Sequence, residues 1–107
     1  QHDFVKLNNQ FVVPVVADGR VGSLVVLSIT LEVLAGQSEA IYEREPKLRD
    51  QFLQVLFDHA NAGGFSGAFT ATARMTSLRT ALREVARQEL GGGLVDVLIL
   101  DIVRQDS

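Results

Sequence analysis

The sequence predicts a small α+β domain in which an N-terminal hairpin and a C-terminal strand form one sheet with helices packed on it. Three observations carry this expectation. Within residues 24–34 every odd position is apolar and Ser28, Thr30 and Glu32 fall between them, residues 46–60 and 76–90 carry apolar side chains at spacings of three and four, and residues 94–105 return to a dense apolar run. At 107 residues, 47% of them hydrophobic, the chain makes one domain, 1–107, with a core of its own and without metal or disulfide support.

In chain order, Phe4 to Asn9 is extended and Phe11 to Val16, rich in β-branched residues, is a strand. Pro14 has no N–H for a ladder, so this strand belongs at a sheet edge or carries a bulge. Asp18-Gly19 to Gly22 supplies turn chemistry. The second strand, Leu24 to Leu34, places Val25, Leu27, Ile29, Leu31 and Val33 on a buried face. Gly36 breaks it. Ser38 is expected to cap a short helix, Glu39 to Arg44, and Pro46 to open a second one as its first residue, where a missing N–H costs nothing. That central helix buries Leu48, Phe52, Val55, Leu56 and His59 and runs to about Ala60. Asn61 to Arg74, with Gly63, Gly64 and Gly67, is a loop. Thr76 or Ser77 caps the last helix, whose buried stripe is Leu78, Leu82, Val85, Ala86 and Leu90, and Gly91-Gly92-Gly93 ends it. In the closing strand, Leu94 to Gln105, Val95, Val97, Ile99 and Val103 fall on one side and Leu98, Leu100 and Ile102 on the other. Apolar character on both sides predicts an interior strand.

Composition narrows the function. The net charge of −3 gives nucleic-acid binding no electrostatic support. With no Cys and two His, neither a thiolate nucleophile nor a zinc ligand set is available. His59 lies on an apolar helix face, and its neighbour Asp58 points about 100° away, so the pair reads as packing and not as a catalytic dyad. The run Gly63-Gly64-Phe65-Ser66-Gly67 follows a helix and lacks a Lys-Ser/Thr sequel, so it is no phosphate cradle, and Ser66 has no partner base. No cofactor is implied. Arg79, Arg83 and Arg87 recur every four residues and read either as a solvated helix face or as a docking stripe. Glu39, Glu43 and Glu45, with Asp50, offer an acidic counterpart, and complementary patches on one protomer are what a head-to-tail ring needs.

The stretch Arg44-Glu45-Pro46-Lys47-Leu48-Arg49-Asp50 ahead of an apolar helix resembles the signature of the flagellar basal-body-associated FliL proteins. Phe11-Val12-Val13, Leu31-Glu32-Val33, Leu78-Arg79 and Val95 to Gln105 resemble that family in the same order. Pro14 departs from it, since the family commonly has an asparagine there, and 60–74 is richer in glycine than the family's loop. The resemblance implies a stomatin-like (SPFH-like) periplasmic domain on an inner-membrane protein with one N-terminal transmembrane helix. It implies association with the flagellar stator and basal body, support of torque or motility, and self-association. The start at Gln1 fits a fragment whose membrane segment lies upstream. The alternatives are a stomatin-like membrane scaffold for a non-flagellar partner and, well behind, an enzyme.

Overall fold

The computed structural model covers residues 1–107 and contains four strands and two long helices: β1 (His2–Lys6), β2 (Phe11–Ala17), β3 (Arg20–Leu34), α1 (Ser38–Asn61), α2 (Thr72–Leu90) and β4 (Leu94–Asp106). All strand pairs are antiparallel. The α+β class and the hairpin-plus-closing-strand sheet are as the sequence predicts.

The central strand is β3. One of its edges pairs first with β2 and then, further along, with β1, so these two short strands lie end to end. The other edge pairs with β4 alone. The hairpin β2–β3 turns on Asp18 and Gly19, both at positive φ (54° and 78°), the backbone signs of the tight turn that matches strand twist. Pro14 sits on β2, an edge strand, as its missing N–H requires.

The five alternate residues Val25, Leu27, Ile29, Leu31 and Val33 are fully buried beneath Leu48, Phe52 and Leu56 of α1 and Leu78, Leu82 and Ala86 of α2. Phe11 from β2 meets Phe52 at 6.3 Å between ring centroids. Both helices cover this one face of the sheet.

Three expectations are corrected. First, α1 is a single 24-residue helix, with Pro46 inside it. Ser38 is its first residue and makes no cap, and Pro46 leaves the Tyr42 carbonyl without its helical donor. Burial explains the continuity. Ile41, Glu45, Leu48, Phe52 and Leu56 all face inward along one helix, so packing of both halves overrides the proline. Second, α2 begins at Thr72, ahead of Thr76 and Ser77, because Arg74 and Met75 are half-buried and belong to the packed helix. Third, β4 is an edge strand and not an interior one. Its ladder slips between Val26 and Ser28 of β3 and again between Glu32 and Val33, with Asp101 at φ 55° in the first bulge. Each slip exchanges the faces. Leu94, Val97, Ile99 and Ile102 therefore point to the core, while Leu100 and Val103 lie exposed on the reverse face at 44% and 51%. Val12 and Leu24 join them there, and no helix covers that side.

Candidate interaction surface

A helix turns about 100° per residue, so side chains four apart drift about 40° around its axis. Three of the four arginines of α2, Arg79, Arg83 and Arg87, follow that drift into different surroundings. Arg79 and Arg83 swing toward β4 and converge on Asp96. Arg83 donates to Asp96 Oδ1 from Nε at 3.1 Å and from Nη2 at 2.7 Å, and Arg79 reaches Oδ2 at 3.5 Å. Asp96 also accepts the Val97 N–H at 2.8 Å. Burial raises the Asp96 pKa, but the hydrogen bonds from Arg83 and Val97 and the two guanidinium charges outweigh it and hold the carboxyl below its ordinary value. Arg87 continues the drift outward, is exposed, and makes no ion pair. The basic stripe is therefore two structural ties and one free cation, flanked on the outer face by Thr80, Glu84 and Gln88. A lone aspartate inside the apolar run Val95-Asp96-Val97 was the sequence signal for this pairing.

The acidic group divides as well. Glu39 and Glu43 share the outer face of α1 with Asp50, all exposed. Glu45 does not stand with them. In a continuous helix it lies about 200° from Glu43, is buried, and accepts the Asn8 N–H at 2.8 Å.

The stretch Arg44 to Asp50 is a structural girdle. Arg49 donates to the carbonyls of Asn8 (2.8 Å), Asn9 (3.1 Å) and Gln10, and its guanidinium lies 4.1 Å from the Phe11 ring centroid. It closes the β1–β2 connection, in which Asn9 has a φ of 63°. Arg44 and Lys47 reach the Glu89 carboxylate at 3.8 and 3.5 Å, tying the start of α1 to the end of α2. Residue spacing could not reveal these partners, because they lie about forty positions away.

The glycine-rich loop is held in the same manner. Arg74 donates to the carbonyls of Gly63 and Ser66, and Arg104 to those of Phe65 (3.1 Å) and Gly67 (2.8 Å). Arg104 also lies 4.7 Å from the Phe69 ring centroid. Phe65 is fully buried and meets His59 edge-on at 4.7 Å. His59 is half-buried, as its place on an apolar face predicts, with Ser77 and Asp58 lining the shallow hollows beside it and no side-chain hydrogen bond to either. No cluster of three or more His, Cys, Asp or Glu side chains is placed to hold a metal ion. No helix is long and apolar enough to cross a membrane.

A family model, the flagellar basal body-associated protein FliL, matches residues 4–105, nearly the whole chain. No curated protein matches it.

Proposed function

The chain belongs to the flagellar basal body-associated FliL family, and from that premise we propose that it serves the basal body by protein contact and not by catalysis. In this reading the domain stands in the periplasm on an inner-membrane protein, docks on stator units, supports torque, and self-associates head to tail into a ring. The family assignment favours this flagellar role over a scaffold for an unrelated partner.

The observation that carries the reading is charge without an internal partner. Arg87 on the outer face of α2, and Glu39 and Glu43 on the outer face of α1, take part in none of the chain's ion pairs. Such exposed charges add little to the stability of a protomer. Opposed across an interface they fix register and speed encounter. An unpaired cation on one helix and an unpaired acidic pair on the other suit a heterologous contact that closes into a ring.

The test is charge reversal at Arg87→Glu and Glu43→Arg, singly and together. Arg83 is unsuitable because its reversal breaks the Asp96 pair. Each single variant is expected to melt like the parent, to associate more weakly at low salt, where screening is least, and to swim less well in the full-length protein. The double variant is expected to recover part of both. Singles that associate and swim like the parent would remove α1 and α2 as the contact faces.

A further inference from the structure

We propose that the loop 62–71 is an acid-sensitive latch whose closed state requires a neutral His59. The geometry around the ring supports this. Gly64 lies flat against the imidazole, so that an added Cβ would overlap Nε2 and Cε1. Nε2 is buried and has no hydrogen-bond partner. Phe65 closes the ring edge-on from the other side. A neutral imidazole tolerates this box, since one unpaired acceptor nitrogen is its only loss. Protonation places a positive charge on a ring whose Nε2 is shut off from water, and the Gly64 backbone is the one neighbour that favours it.

The charges around the box oppose protonation. From α2, Arg74 faces His59 while holding the Gly63 and Ser66 carbonyls. From β4, Arg104 holds the carbonyls of Phe65 and Gly67 and is itself paired with Asp106 at 2.9 Å. The loop contributes no titratable side chain. On α1 itself, Asp58 is exposed and accepts from Gln54 at 3.0 Å. A His59 cation thus meets the Arg74 guanidinium with no carboxylate paired to it. Opening the loop lets water reach the ring. It also uncovers Phe65, half-buried Phe69 and two arginines released from their carbonyls, so acid would expose a mixed aromatic and cationic surface at this end of the α1–α2 pair.

Burial and Arg74 lower the His59 pKa from 6.5, against an opposing effect of the Gly64 backbone. The sign follows. The closed loop binds fewer protons than the open one, so closure is complete above the open-state value and is progressively lost as pH falls from there toward the closed-state value.

The experiment is amide hydrogen exchange of the intact domain from pH 8 to pH 5, corrected for intrinsic rates, with the His59 imidazole followed by NMR in the same samples. The amides of 63–69 are expected to lose protection by up to tenfold per pH unit, the limit for one proton, in step with the His59 titration. Amides in β3 are expected to hold. His59→Gln, uncharged at every pH, should remove the pH dependence, and His2→Gln should leave it intact. Gly64→Ala, which displaces the ring, should leave the loop open across the whole range. Loop protection that stays constant while His59 titrates would overturn the latch, as would a His59→Gln variant that keeps the parent's pH response.

Discussion

Asp96→Asn separates a structural role of the α2 arginines from a docking role. The substitution keeps the shape and leaves an oxygen for the Val97 N–H, but it removes the charge that receives Arg83 at 2.7 and 3.1 Å and Arg79 at 3.5 Å. A hydrogen bond to a charged group is worth about 1.5–3 kcal/mol net, and an exposed ion pair about 0–1 kcal/mol. The Asp96 side chain is 23% exposed and those of the arginines 39%, between these limits. The expected loss is about 1–3 kcal/mol, roughly 4–15 °C in Tm for a domain of this size. The loss should depend on pH in one direction. The folded state holds the Asp96 carboxyl below its ordinary 3.8, so its stabilisation is present above that value and disappears as pH falls through the lower folded value. Parent and variant should differ fully at pH 7 and converge in strong acid. Urea and thermal melts at pH 7, 4 and 2 measure this. Equal stability at pH 7 would mean that Arg79 and Arg83 are solvated and available to a partner.

Two further outcomes test the fold. Phe52→Ala empties a fully buried site against Phe11 and is expected to cost about 3–5 kcal/mol in denaturant melts, so a change below about 1 kcal/mol would contradict the packing of α1 on the sheet. Pro46→Ala should stabilise the domain by about 2–2.5 kcal/mol, since a proline inside a helix costs about 3 kcal/mol and its rigidity in the unfolded chain returns about 0.4–1 kcal/mol. Destabilisation on the same melts would mean that Pro46 starts a separate helix.

Much of the fold was legible from local pattern. The period-two alternation of Val25 to Val33 marked the buried face of β3, and the four-residue spacing of Leu48, Phe52 and Leu56 marked the inward side of α1. Both signals depend only on backbone geometry, which repeats within a few residues. The ordered motifs likewise pointed to the family that the match over residues 4–105 establishes. What spacing could not supply was any fact fixed by a distant partner. Pro46 looks like a helix start until the burial of Ile41 and Glu45 ahead of it joins the two halves. The closing strand looks two-sided and interior until its bulges against β3 exchange the faces of Leu94, Ile102 and Val103. Arg79, Arg83 and Arg87 form one stripe in sequence, but only the placement of β4 beside α2 brings Asp96 to the first two and leaves the third free. A side chain's direction follows from its own helix or strand, whereas its partner is chosen by the packing of segments far apart in the chain, and that choice exists only in the folded molecule.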